Sequence, residues 1–172
     1  MSKVLLLPFL LLLLSPPKTM EQPETAVLRK QIFDKTNALR TEKGLPELQW
    51  NSDLMFLAQT HSENMVNHQF YAHTDHLGRS VIQRAEAMGI QAWVEQDNLM
   101  IGISENIAQV PQYIRVSGCG DTRTDEAYSS CMVDGWRDSP PHYANILGDF
   151  TELGVGLAFD ERGVGFGTLN FR

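Results

Sequence analysis

Apolar residues recur at helical spacing in four segments of the chain. In the first segment Leu28, Ile32 and Leu39 are separated by charged residues, as expected for a helix that buries one face. Capping residues, glycine or proline mark the ends of the segments. The predicted helices run from Thr25 to before Gly44-Leu45-Pro46, from after Asn51 and Ser52 to near His68, from Gly78 to Met88 with Ser80 as a cap, and from Thr124 to Trp136.

The C-terminal tail has a different pattern, in which apolar residues alternate with small or polar ones. Gly154 to Phe159 and Val164 to Phe171 alternate in this way and are separated by Asp160-Glu161-Arg162-Gly163, which predicts a β-hairpin. Asn98 to Ala108 also has strand character. Helices that precede and interrupt the strands indicate an α+β fold in which helices cover a small sheet.

The N-terminal segment differs from the rest of the chain. Lys3 precedes an apolar run from Val4 to Leu14, the layout of an export signal. A membrane-spanning helix needs about 20 apolar residues, so this run is too short for one, although an uncleaved anchor remains the alternative. We expect residues 1–20 to be a signal peptide with an uncertain cleavage site and residues 26–172 to form one domain. The expected location is secreted or periplasmic.

Charge and cysteine content narrow the set of partners. The net charge of −7 disfavours nucleic acid or anionic lipid headgroups as the main partner. Cys119 and Cys131 are the only two cysteines, and a pair downstream of an export signal predicts one local disulfide. The alternative, a metal-binding pair, lacks the close C-x-x-C spacing.

A series of motifs in fixed order extends over most of the chain. The motifs are Asn37-Ala38-Leu39-Arg40, Gly44 to Asn51, Phe70-Tyr71-Ala72-His73, Ser104-Glu105-Asn106-Ile107-Ala108, Gly135 to Leu147, and Phe150 to Gly156. Together they resemble the CAP superfamily of cysteine-rich secretory proteins, antigen 5 and pathogenesis-related protein 1, in particular its bacterial SCP-like extracellular form. The resemblance covers about Ala26 to Arg172. It implies a CAP-type α-β-α sandwich with a small antiparallel sheet covered by helices.

The same resemblance implies a cleft in which two histidines and two glutamates face each other. Carried onto this sequence, the first histidine is His73, the first glutamate is Glu105 and the second histidine is His142. The position of the second glutamate, three residues after Trp136, is held by Ser139. The remaining candidates for a second carboxylate are Glu126, Asp134 and Glu152.

Two imidazoles and one carboxylate are suited to Zn²⁺ or a similar divalent ion. A metal-activated water would then be a hydrolytic nucleophile. The alternative, which we favour, is that His73 and His142 hydrogen-bond with Glu105 and fasten the fold. We expect modest, reversible metal binding at His73, Glu105 and His142 without efficient catalysis, and no required cofactor.

The other histidines have less specific surroundings. His61 and His68 are two helical turns apart and so face the same way, which suggests a second metal site, but a surface or half-buried structural role is favoured. His76 lies in a polar loop, where solvent exposure is the default and a place on the cleft rim the alternative.

Large apolar residues in the motifs are expected in the core. Trp50 and Trp136 are interpreted as framework residues, although either one is suitable for lining a ligand groove. Leu99-Met100 is expected to be buried in the sheet. Ser139 precedes two prolines and is interpreted as a helix end or cap rather than as a nucleophile.

Three classes of function are compatible with these observations. The favoured class is a non-catalytic secreted binding module for a lipid, peptide, glycan or partner protein. The second is a metal-dependent hydrolase or peptidase that uses His73, Glu105 and His142. The third is a structural envelope protein whose cleft only stabilises the fold. Because CAP domains carry diverse roles on one scaffold, the resemblance does not choose between them.

Overall fold

Five helices and six strands make up residues 25–172, the part of the chain that the computed structural model describes. The helices are α1 (Thr25–Glu42), α2 (Ser52–Asn67), α3 (Val81–Ala87), α4 (Asp125–Arg137) and α5 (Pro140–Ile146). The strands are β1 (Gln49–Trp50), β2 (Trp93–Gln96), β3 (Leu99–Gly102), β4 (Ser104–Pro111), β5 (Glu152–Phe159) and β6 (Val164–Phe171). The predicted α+β class is confirmed.

The main sheet has four strands in the order β1-β5-β6-β4. β5 and β6 form the predicted antiparallel hairpin, β4 pairs antiparallel with β6, and β1 pairs parallel with β5. Glu105 on β4 is opposite Asn170 on β6 in this register. The start of β4 is therefore held directly beside the last strand of the chain.

β5 separates two helical layers because its residues alternate between large and small. Leu153, Val155 and Leu157 are buried in the core formed with α1 and α4. The intervening Gly154 and Gly156 face α2: a Cβ on Gly156 would lie 2.2 Å from the carbonyl carbon of Ala58. The backbone of α2 thus rests directly on the sheet, and the result is the expected α-β-α sandwich.

The two tryptophans predicted for the core have different environments. Trp136 on α4 is 1% exposed, and its Nε1 donates a hydrogen bond to the Ile107 carbonyl at 2.9 Å, so its prediction is confirmed. Trp50 is 41% exposed, so its prediction is wrong. The reason is that β1 is only two residues long and lies at the sheet edge, where Trp50 packs edge-on against Phe33.

The segment from Asn98 to Ala108, for which strand character was predicted, contains two strands that belong to different sheets. β2 and β3 form a separate two-stranded sheet, whose turn residues Asp97 and Asn98 have positive φ, as hairpin turns require. Leu99 and Met100 are 66% and 61% exposed on this hairpin. Their expected burial is wrong because β3 does not join the main sheet.

The predicted helix caps are present. Asn51 Oδ1 accepts hydrogen bonds from the backbone amides of Asp53 and Leu54 at the start of α2. Ser80 and Gln83 form a reciprocal capping box that starts α3. Ser139 precedes α5, but its side chain makes no capping hydrogen bond.

The predicted disulfide is also confirmed. Cys119 and Cys131 are joined, with their Cα atoms 5.4 Å apart, which ties the loop after β4 to α4. Within residues 25–172, no helix combines the length and apolar character needed to cross a membrane. The predicted signal peptide, residues 1–20, lies outside the described residues.

The contact between α2 and β5 gives a prediction about glycine. Replacing Gly156 with alanine should lower the free energy of unfolding by about 3 kcal/mol or more, the upper end of overpacking costs, because the nearest atoms are helix backbone that cannot rotate away. Urea unfolding of the variant measures the change.

Gly135→Ala is the matched control. Gly135 lies inside α4, and an added Cβ has no atom within 4 Å. The change should stabilise the protein by about 0.5 to 1 kcal/mol, since alanine is a better helix former than glycine. Equal effects of the two substitutions would contradict the close approach of α2 to the sheet.

Candidate functional site

The centre of the candidate site is Glu105, whose side chain is 3% exposed. Its Oε1 lies 3.0 Å from His73 Nδ1, and its Oε2 is in an ion pair with Arg84. In the amide orientation that satisfies its neighbours, Asn170 Nδ2 also donates to Oε2 at 3.2 Å. Both carboxylate oxygens are therefore engaged within the protein.

Arg84 reaches this site from α3 and is 3% exposed. Its Nη1 donates to the His73 carbonyl at 2.6 Å and to the Arg79 carbonyl at 3.3 Å. Burial lowers the pKa of Arg84, and the charge of Glu105 opposes this effect. Arg84 thus joins α3, β4 and the loop that carries His73.

Sequence reasoning did not identify Arg84 as a site residue. The available signal was its position three residues after Val81, which places a cation on the side of α3 that packs into the fold. A buried arginine requires a partner, but nothing in the local sequence specifies that the partner is Glu105, 21 residues later.

His61 lies behind Glu105 on α2 and has no exposed surface. Its Nε2 donates to the Ala72 carbonyl at 3.0 Å and is 3.9 Å from Glu105 Oε1. Its Nδ1 has no hydrogen-bond partner among the described residues. Burial lowers the pKa of His61, partly opposed by Glu105. The expected surface or half-buried position is wrong, because α2 approaches the sheet so closely that His61 is enclosed.

His142 lies on α5 and is attached through its backbone. Asn106 Nδ2 donates to the His142 carbonyl at 2.9 Å, and Asn145 Nδ2 donates to Asn106 Oδ1 at 2.8 Å. The pKa of His142 is lowered by burial and, to a smaller extent, by the charge of His73. The backbone of His142 is therefore hydrogen-bonded to Asn106, the residue after Glu105, and His142 lies within electrostatic range of His73.

The three candidates for a second carboxylate are engaged elsewhere. Glu126 pairs with Lys35, Asp134 pairs with Arg137, and Glu152 pairs with Arg172, at 2.6, 2.6 and 2.7 Å. None of these three partners is a residue that contacts Glu105 in the interactions described above. The position of the second family glutamate is thus held by Ser139 without a replacement among them.

The donor set does not fit a metal centre with three protein ligands. Among residues 25–172, no group of three or more His, Cys, Asp or Glu side chains has the arrangement to hold a metal ion. The buried guanidinium of Arg84 already supplies the positive charge next to Glu105. Since a carboxylate can only accept, His73 Nδ1 donates to Glu105, and the second nitrogen, Nε2, is the one left to act as an acceptor.

A groove lies on another part of the surface, between the C-terminal end of α2 and the β5–β6 turn. Its volume is about 690 Å³. Its lining combines apolar and aromatic residues with amides and charged residues, namely Met65, Val66, Phe70, Tyr71 and Phe166 with Asn67, Gln69 and Gln109 and with Asp160, Glu161 and Arg162. The sequence analysis did not predict this groove because its lining comes from three separate segments.

Glu105, its contacts and the sheet that carries it lie within a known family pattern. A family model described as the cysteine-rich secretory protein family, CAP, matches residues 33–171. The chain belongs to the CAP family. The match includes His73, Glu105 and His142, and the resemblance found in the sequence is confirmed.

A curated bacterial protein resembles the chain over part of its own length. It is 32% identical over 129 residues to the uncharacterized membrane protein YlbC of Bacillus subtilis, a match that covers 74% of this chain and 31% of the relative. The chain therefore spans about a third of the length of that curated relative.

Solved structures of bacterial proteins share the fold. An extracellular protein containing an SCP domain from Bacillus anthracis is 25% identical, with a TM-score of 0.63, over 85% of this chain and 40% of that chain. An outer surface protein from Borrelia burgdorferi is 17% identical, with a TM-score of 0.65, over 86% and 93% of the two chains. These likenesses support the bacterial form of the CAP fold.

The buried ion pair gives a stability prediction. Arg84→Met should lower the free energy of unfolding by about 3 to 5 kcal/mol, because it leaves the Glu105 carboxylate buried without its cation. Urea unfolding measures the loss. The double variant Arg84→Met/Glu105→Gln should recover a large part of it, since the remaining amide is neutral. A double variant as unstable as Arg84→Met would contradict an uncompensated charge as the cause.

His61 gives a prediction about pH. Because its pKa is lowered in the folded state from 6.5, the unfolded chain binds more protons than the folded chain below about pH 6.5. Stability should therefore fall as the pH decreases from 7 to 5, with a slope of at most about 1.4 kcal/mol per pH unit for this group.

His61→Gln should make that slope smaller, because glutamine can still donate to the Ala72 carbonyl but does not titrate. Part of the slope should remain, since the pKa of His142 is lowered in the same direction. Urea unfolding at a series of pH values measures both proteins. The same slope for both would show that His61 is not the responsible group.

Proposed function

We propose that the chain is a non-catalytic binding module that acts outside the cytoplasm. The observation that carries this proposal is the engagement of both oxygens of Glu105, one with His73 and the other with Arg84. A general base or metal ligand must be able to reach the reactant or the ion, whereas the Glu105 side chain is only 3% exposed and three of its about four acceptor positions are taken by His73, Arg84 and Asn170. In this chain the carboxylate instead holds the fold together, and the ligand-binding surface lies elsewhere.

The groove supports the binding part of the proposal. Tyr71 is 48% exposed and packs edge-on against Phe166, which gives the groove a fixed aromatic surface. The amides of Gln69 and Gln109 lie on the same lining and can both donate and accept hydrogen bonds. The charged rim residues Asp160 and Arg162 form an ion pair, so Glu161 gives the lining one net negative charge. This chemistry favours a polar ligand without negative charge, such as a neutral glycan or a peptide segment.

One observation favours the hydrolase alternative. Glu105 accepts from His73 Nδ1, and a carboxylate that orients an imidazole in this way leaves Nε2 suited to act as a base. Such a base needs a nucleophile. The serine considered for that role, Ser139, is the N-cap of α5, the helix that carries His142 rather than His73. Binding without catalysis therefore remains the proposed function.

The groove can be blocked by a substitution that adds bulk. Gln109→Trp should abolish binding to glycans or peptides, because the indole would fill space between α2 and the β5–β6 turn. Gln112→Trp is the matched control, since Gln112 lies just after β4, outside the groove and in the lining of a separate cavity. Immobilised glycan and peptide arrays, probed with the secreted protein and both variants, measure the effect.

Two outcomes would contradict the proposal. Equal array binding by Gln109→Trp and the unmodified protein would exclude the groove as the binding surface. Zinc-dependent hydrolysis of a peptide library that disappears in Glu105→Gln would establish the hydrolase alternative instead.

A further inference from the structure

Two histidines outside the cleft are in direct contact. His68 follows the last residue of α2, and His76 lies in the loop between α2 and α3. Their rings are stacked with centroids 3.6 Å apart and planes 15° apart, and both residues are exposed. The sequence analysis paired His68 with His61, but His61 is enclosed beside Glu105. The histidine that accompanies His68 is His76.

We propose that His68 and His76 form a two-histidine site for a divalent transition metal such as Zn²⁺, separate from the Glu105 cleft. Imidazole is a preferred ligand of Zn²⁺, Cu²⁺ and Ni²⁺ and a poor match for Mg²⁺ or Ca²⁺, which select oxygen. Two protein ligands hold the ion, and water completes the coordination. The site has only two because no larger group of metal-ligating side chains occurs among residues 25–172.

The spacing of the rings suits a shared ion. Two nitrogens at about 2.0 to 2.1 Å from a tetrahedral Zn²⁺ are about 3.3 Å apart, so a shared ion requires two side chains that lie next to each other. His68 and His76 meet this requirement, because their ring centroids are 3.6 Å apart. In the stack the ring planes are nearly parallel, so the rings must tilt toward a common point on binding. Rotation about χ2, a broad torsion for histidine, supplies this tilt at small cost for two exposed side chains.

The electrostatic surroundings favour a cation at this position. His68 caps the C-terminal end of α2, a helix of 16 residues, where the helix dipole is negative. The charge of Arg79 in the same loop is already balanced by Asp75, which accepts hydrogen bonds from the backbone and side chain of Arg79. The chain as a whole has a net charge of −7. No desolvated cation has to be displaced, in contrast to the Arg84 guanidinium in the cleft.

A metal ion at His68 and His76 would act on the cleft from a distance. His76 is three residues after His73, whose carbonyl is held by Arg84 and whose ring is held by Glu105. An ion that bridges His76 to the end of α2 would fix the other side of the same loop. Metal binding would then restrict the loop that carries His73 without any metal in the cleft.

Calorimetric titration of the secreted protein with Zn²⁺ tests this site against the cleft. The unmodified protein and His142→Ala should bind one equivalent with the same affinity. His76→Ala and, independently, His68→Ala should bind at least about tenfold more weakly, since losing a direct ligand costs no less than losing a second-shell partner. Mg²⁺ should give no binding heat. Both alanine variants replace exposed side chains, and near-UV circular dichroism confirms that they fold.

Histidine ring NMR locates the ion independently of affinity. The chain has five histidines, so every ring can be assigned. Substoichiometric Zn²⁺ should perturb the His68 and His76 rings first and leave that of His142 unchanged. Loss of binding in His142→Ala with retention in His76→Ala would overturn the proposal and place the ion in the cleft. Absence of a Zn²⁺ binding heat in the unmodified protein would also overturn it, leaving a ring stack only.

Discussion

The buried ion pair between Arg84 and Glu105 is the interaction on which the surroundings of Glu105 depend. Either charge alone would destabilise the interior, because removing an ion from water costs several kcal/mol. Since Arg84 lies on α3 and Glu105 lies on β4, this requirement fixes the position of the helix relative to the sheet. Nη1 of Arg84 then holds the His73 backbone, while Glu105 holds the His73 ring.

The attachment of α5, which carries His142, depends on amides rather than charges. Asn106 is fully buried, receives a hydrogen bond from Asn145 and donates one to the His142 carbonyl. Because α5 has only seven residues, these bonds contribute much of what keeps it in place. The two histidines are thus held by neighbouring residues of β4: His73 through the side chain of Glu105, and His142 through Asn106. A shift in the register of β4 would displace both.

Local patterns predicted the elements whose causes are local. The β5–β6 hairpin follows from alternation around a polar turn, and the start of α3 follows from the Ser80 cap with its partner Gln83. The cleft histidines and Glu105 were placed by resemblance, since residues so far apart in sequence carry no mutual signal. Errors arose where burial depends on distant partners. Trp50 is apolar but lies on a two-residue edge strand, and Met100 is on a hairpin that never joins the main sheet.

Arg84 also changes the charge around Glu105 in a way that the list of potential metal ligands, His73, Glu105 and His142, does not include. Two imidazoles and a carboxylate attract a divalent ion when the carboxylate is otherwise unneutralised. Here Glu105 and Arg84 together carry no net charge, so a second cation beside Glu105 would face a buried guanidinium at close range. Ser139 adds no negative charge that would compensate. The guanidinium of Arg84 thus already neutralises the Glu105 carboxylate within the fold.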